Sequence, residues 1–209
     1  MRTPTPESQQ TAVTRTVTED GDRHVVTLAQ TFPVEPWSLY GALASPQRLS
    51  SWFGVLEGRL VAGERFSLPE RDVSGVVDQA VMDEYVRVSW SMDGDSSSLE
   101  LLLSDEVDGT RLTIRHTVED SARWASLGPA PIGLTWDLAL YALAMHLHDD
   151  SVNWADRLRS FTATADGREF LLTVIRCWAA AHVAAGADRL EARSAASRTA
   201  MMRLDEVGV

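Results

Sequence analysis

Apolar and polar residues alternate along much of this chain, and the period lengthens to a helical one in its last third. His24, Val26, Leu28, Gln30 and Phe32 fall on one side of a period-two run, with Val25, Thr27, Ala29 and Thr31 on the other. That predicts a strand. Pro36 after Glu35 and Pro46 after Ser45 each open a short helix, with proline at a first-turn position that needs no amide donor. The first runs through Trp37, Leu39, Tyr40 and Leu43, and the second ends near Trp52-Phe53-Gly54. Strand-like runs follow at Val55–Leu60, Glu64–Leu68, Val73–Tyr85, Val86–Met92, Leu99–Asp105 and Thr110–Val118. Asp93-Gly94 and Asp108-Gly109 lie between such runs, the strongest local signal for a hairpin. An antiparallel meander is expected, with one face buried and one wet.

A long helix is predicted over Gly133–Asp149. Trp136, Leu140, Leu143 and Leu147 form one apolar stripe, and Leu134, Leu138, Tyr141 and Met145 form a second. A helix apolar around most of its circumference needs more than one packed neighbour. Beyond it, Asp166/Glu169 and Asp188/Glu191 have capping-box spacing, and Gly186 suits a helix end. These signals predict two helices, about 166–185 and 188–206, joined as a hairpin. Leaving Phe170, Leu171, Val174 and Trp178 in water would cost about 1.5–3 kcal/mol each. The hairpin is therefore expected to pack on its own domain, against the long helix, the alternative being a dimer in which it pairs with its symmetry mate. Residues 1–22, rich in Thr, Pro, Ser and acidic side chains, read as a flexible tail.

Composition narrows the field. The chain has 209 residues, 44% hydrophobic and 23% charged, which is a globular balance. Its formal net charge of -11 lacks the basic footprint of a nucleic-acid binder. All 19 basic residues are arginine, so lysine Schiff-base and Walker-type chemistry are excluded. A single cysteine, Cys177, excludes an internal disulfide and reads as an inert buried thiol. No leader-like or membrane-spanning run stands out, which leads to the expectation of a cytoplasmic protein without membrane insertion.

The order of elements and the residues within them resemble a known family. The run from Thr31 through Trp37, Tyr40, Pro46 and Trp52 to Gly54 is similar to the opening signature of the START-like (SRPBCC) superfamily. Within it, the branch named after activators of the ninety-kilodalton heat-shock-protein ATPase matches best. Gly63-Glu-Arg-Phe-Ser67, Gly75-Val-Val77, Val86-Arg-Val-Ser-Trp90 and Gly109-Thr-Arg-Leu-Thr-Ile-Arg-His116 follow in that branch's order. The resemblance covers about residues 24–149. It implies an α+β helix-grip fold, in which a curved antiparallel sheet of about six or seven strands wraps a long helix. The C-terminal helical hairpin is an extension of that fold. The domain plan is a tail (1–22), a START-like domain (23–150) and a packed helical extension (151–209).

The same resemblance implies a cavity between sheet and helix. Trp90, Leu112, Ile114, His116, Leu138, Tyr141 and Met145 are the candidate ligand-binding residues lining it, with Trp124 in the preceding loop. Trp52 and Trp136 read as core. His116 shares the apolar strand face with Leu112, Ile114 and Val118, where it serves either as a structural histidine or as a ligand partner or base. His146 and His148, two apart, point to different sides of a helix, and His146 with Asp150 at i,i+4 offers only two ligands at a helix end, so neither metal nor cofactor is expected. The leading expectation is a non-catalytic protein binding an apolar or aromatic small molecule. One alternative is a cyclase- or hydrolase-type enzyme with His116 as base and Tyr141 as proton donor or oxyanion partner. Another, implied by the family's name, is a co-chaperone-like module with a chaperone partner. The chain is expected to be a monomer or a homodimer.

Overall fold

Tight turns convert the alternating runs into one sheet. The computed structural model describes residues 3–92 and 94–206. A helix α1 (Pro6–Ala12) leads into strands β1 (Thr14–Asp20) and β2 (Arg23–Phe32), joined through Gly21 at φ 63°. The proline-opened helices α2 (Pro36–Ala44) and α3 (Pro46–Ser50) follow, and the Ser45 hydroxyl caps α3 by accepting from the Arg48 amide. Then come β3 (Glu57–Gly58), β4 (Arg65–Leu68), β5 (Val73–Val81), β6 (Tyr85–Met92), β7 (Asp95–Glu106) and β8 (Gly109–Glu119). Helices α4 (Ala122–Leu127), α5 (Ala130–His148), α6 (Trp154–Thr162), α7 (Ala165–Ala184) and α8 (Arg189–Glu206) follow the sheet.

The eight strands form a single antiparallel sheet in the order β1-β2-β8-β7-β6-β5-β4-β3. The last strand returns beside β2 in a register that aligns their inner faces. Val26 lies opposite His116, Leu28 opposite Ile114 and Gln30 opposite Leu112. On the other side of β8, Leu99, Leu101 and Leu103 continue the same three rows. Gly109 is required where β8 begins, because at φ 137° a β-carbon would lie 2.1 Å from the Phe32 carbonyl oxygen. Gly94 also has positive φ, whereas Asp93 of the predicted turn lies outside the described residues.

Three expectations need correction. Residues 3–22 are not a flexible tail: they supply α1 and the edge strand β1, so the sheet has eight strands among the described residues. Met1 and Arg2 of that expected tail lie outside the described residues. The segment is polar because an edge strand buries little, only Val13 and Val17 among its apolar side chains. Residues 55–60 form an irregular loop with a two-residue strand, and α4 and α6 are helices that the sequence reading did not expect.

Buried polar contacts hold the N-terminal segment in place. The amides of Gln9 and Gln30, both buried, exchange hydrogen bonds of 2.8 and 3.3 Å. Arg15 on β1 reaches Asp137 on α5, donating from Nη2 at 2.6 Å and from Nε at 3.0 and 3.1 Å. Asp137 is 0% exposed, and its second oxygen also accepts from the Trp178 indole of α7 at 2.7 Å. One carboxylate thus joins the first strand, the long helix and the C-terminal extension. Trp178 itself lies flat against Gly133, where any β-carbon would come within 2.0 Å of the indole.

Candidate functional site

The two apolar stripes of α5 face different neighbours. Trp136, Ala139, Leu140 and Leu143 face the sheet and border an apolar cavity of about 70 Å³. Trp90, Leu112 and Ile114 line it from the strands, and Trp52 and Phe53 close it from the segment after α3. Among the described residues, every side chain on its wall is apolar. The rings interlock. Phe53 stacks on Trp136 with centroids 5.8 Å apart, and Trp90 meets Trp136 edge-on at 5.5 Å. From outside, the Arg71 guanidinium lies 4.0 Å over the Phe53 ring and donates twice to the Phe53 carbonyl. Burial and the nearby Arg159 lower the Arg71 pKa from its ordinary value, against the opposing pull of Glu70.

His116 sits at the end of this aromatic cluster with only 7% of its surface exposed. The Trp136 indole can only donate, and it points at His116 Nδ1 at 2.9 Å. The imidazole proton must therefore sit on Nε2, which faces the Ser97 hydroxyl at 2.9 Å. Ser97 in turn donates to the Trp90 carbonyl at 3.0 Å. Each link of the chain Trp136–His116–Ser97–Trp90 thus pairs one donor with one acceptor. Burial lowers the His116 pKa to about 4, so the ring is neutral at physiological pH. Its one basic lone pair is already occupied, which is the arrangement of a structural histidine.

Several expected site residues lie elsewhere. Tyr141 and Met145 sit on the opposite flank of α5, where Tyr141 packs against Phe161 and Phe170. They border a separate groove beneath α6. Leu138 is half-buried on α5 and lines neither space. Trp124 lies in α4, stacked on His24 at 4.1 Å and edge-on to His182 at 5.9 Å, away from the cavity. His116 and Tyr141 therefore do not converge, and the acid–base pair expected of an enzyme is not assembled. Conversely, Trp52 and Trp136, read from sequence as plain core, are cavity walls. The sequence does mark Trp136: it shares the 136/140/143 stripe that meets the inner strand residues.

Near the end of α5 the histidines part company. His148 meets the Thr3 hydroxyl at 3.1 Å, while His146 is buried and, among the described residues, neither of its ring nitrogens finds a hydrogen-bond partner. Burial and the nearby Arg48 lower the His146 pKa, and Asp150 opposes them. No cluster of three or more potential metal ligands occurs among the described residues. None of the described helices is long and apolar enough to cross a membrane.

A curved antiparallel sheet closed around one long helix, with an apolar interior between them, defines the helix-grip class. Residues 33–144 match the family model described as activator of Hsp90 ATPase homolog 1-like protein. That span is more than half the chain, and the protein belongs to this family. No curated protein matches its sequence. The solution structure of CalU16 from Micromonospora echinospora is similar, with a TM-score of 0.69 and 23% identity over 84% of this chain and 97% of that one. Its crystal structure gives 0.65 and 22% over 81% and 98%. A conserved protein of unknown function from Enterococcus faecalis gives 0.61 and 14% over 84% and 95%. An overlap of 84% is too large to be confined to residues 24–149, so these structures also share parts of the flanking segments.

Proposed function

We propose that this protein is a non-catalytic binder of a small apolar or aromatic molecule, taken up between the sheet and α5. The observation that carries this reading is the wholly apolar wall, formed around three tryptophans and Phe53. Ligand sites of this kind are mostly apolar, and a catalytic one needs at least one convergent polar group. His116, the nearest candidate, is neutral and engaged on both nitrogens. Size sets the terms of binding. A cavity of about 70 Å³ is less than half of the roughly 150 Å³ that holds benzene in an engineered apolar core. Entry of a ring therefore displaces wall side chains. Those on the short α3 and the irregular loop after it, Leu49, Phe53, Leu56 and Leu60, are the ones with least secondary structure behind them.

Tryptophan fluorescence titrated with naphthalene tests the reading. Saturable quenching is expected, and Ala139→Leu, which fills the cavity from α5, should abolish it. Absence of saturation with naphthalene and with short-chain neutral lipids, in protein shown to be folded, would remove the proposal.

A further inference from the structure

The groove beneath α6 is larger than the internal cavity and chemically different from it. Helix α6 places Trp154, Leu158 and Phe161 at spacings of four and three, one apolar face, yet none of its residues is fully buried. It is pinned at its ends and stands off in the middle. At its start, the Trp154 and Ala155 amides donate to the Ser51 carbonyl at 2.6 and 3.2 Å, and the Trp154 indole donates to the Asp149 carbonyl at 2.6 Å. At its finish, the Thr164 hydroxyl donates to the Phe161 carbonyl at 2.7 Å, and Gly167 lets α7 approach so closely that a β-carbon would lie 1.9 Å from that oxygen. The space held open measures about 300 Å³, at the small end of the roughly 300–1,000 Å³ usual for ligand pockets.

Its floor is aromatic and its polar groups are few. Tyr141 is 8% exposed, its ring wedged against Phe161 and Phe170, and no hydrogen bond holds its hydroxyl among the described residues. Among the described residues, Arg157 is the one charged residue on the wall. No hydrogen bond or ion pair engages its guanidinium among the described residues, whereas its neighbour Arg159 is paired with Asp156. An unspent planar cation beside an apolar, ring-lined floor is complementary to an anion carried on a ring.

We propose that this groove is a second ligand site, for a small aromatic carboxylate, with the ring on Tyr141, Met145 and Phe161 and the carboxylate on Arg157. The Tyr141 hydroxyl supplies a further donor. The site is independent of the internal cavity, from which α5 separates it.

Calorimetric titration with 2-naphthoate and with the neutral 2-naphthamide separates the contributions. One equivalent of naphthoate should bind. Arg157→Gln should weaken naphthoate by about tenfold or more, the loss of one charge-assisted contact, while changing naphthamide less than about twofold. Tyr141→Phe should weaken naphthoate by a smaller factor. Ser160→Trp, from an exposed position on α6, should block both ligands, and Ala139→Leu in the internal cavity should affect neither. Absence of binding by the unmodified protein overturns the proposal, as does equal weakening of acid and amide by Arg157→Gln. Loss of naphthoate binding in Ala139→Leu would also overturn it, by assigning the ligand to the internal cavity. Because Arg157 is exposed, its variant remains decisive even if Ser160→Trp fails to fold.

Discussion

Replacing Arg15 with methionine would leave the Asp137 carboxylate buried with one neutral donor, the Trp178 indole. Both partners of the ion pair are enclosed: the side-chain exposures are 7% for Arg15 and 0% for Asp137. Breaking a buried pair from one side costs about 3–5 kcal/mol, most of it the penalty of the stranded charge. For a chain of this size that corresponds to a fall in melting temperature of about 6–20 °C. The double variant Arg15→Met/Asp137→Asn removes both charges and keeps an acceptor for Trp178. It should recover a large part of the loss, with a coupling energy of about 2 kcal/mol or more. Calorimetric melts of the four proteins at neutral pH give the cycle. Amide exchange across β1 gives the local effect, since Arg15 also donates to the Gln10 and Val13 carbonyls. A single variant within about 1 kcal/mol of the parent, with no coupling, would refute the claim that this contact fastens the N-terminal segment.

Other outcomes follow from the same contacts. His116 titrates near 4 in the folded protein against about 6.5 unfolded, so the unfolded chain binds the extra proton between those values. Stability should therefore be intact above pH 6.5 and fall as pH drops towards 4, by roughly 3 kcal/mol from this group, and His116→Gln should flatten that slope in pH-dependent denaturant melts. Gly133→Ala should destabilise by about 1–3 kcal/mol or more despite alanine's better helix propensity, because the new carbon meets Trp178 at 2.0 Å. An unchanged melting temperature there would mean that α7 does not lie against α5 as described. Leu143→Ala, at a fully buried position on the cavity wall, should cost about 2–5 kcal/mol in chemical denaturation and tighten naphthalene binding by enlarging the cavity.

The strands, the two proline-opened helices and the long helix were readable because their burial is one-sided and their turns are marked by glycine and proline. What was lost lay where burial is slight or doubled. Thr14–Asp20 has β-branched residues at every second position up to Thr18 and ends in Asp20-Gly21, the same turn signal as Asp108-Gly109, but its polar composition conceals an edge strand. On α5 both stripes are apolar, since one meets the sheet and the other meets α6 and α7, so periodicity alone could not say which faces the cavity. Gly133 and Asp137 carried the answer. A glycine and a buried acid within a long apolar helix mark the side on which another helix with a polar indole approaches, leaving Trp136, Leu140 and Leu143 for the sheet. The groove has little sequence signature, because Trp154, Leu158 and Phe161 stand among charged residues in a nine-residue helix, and its depth depends on how both ends of that helix are tied.

The contact between Arg15 and Asp137 also orders events in time. The two residues are 122 positions apart, which at about 5–20 residues per second of ribosomal synthesis is roughly 6–24 s. Trp178 lies another 41 positions on, adding roughly 2–8 s at the same rate. A nascent chain can pair β1 with β2 almost at once, since a short loop joins them. Its arginine then waits on an edge whose counter-charge has not yet been translated, and the carboxylate, once made, waits again for its indole. The first strand is thus local in its pairing and among the last pieces to be secured, and assembly of this domain is complete only when the C-terminal extension has left the ribosome.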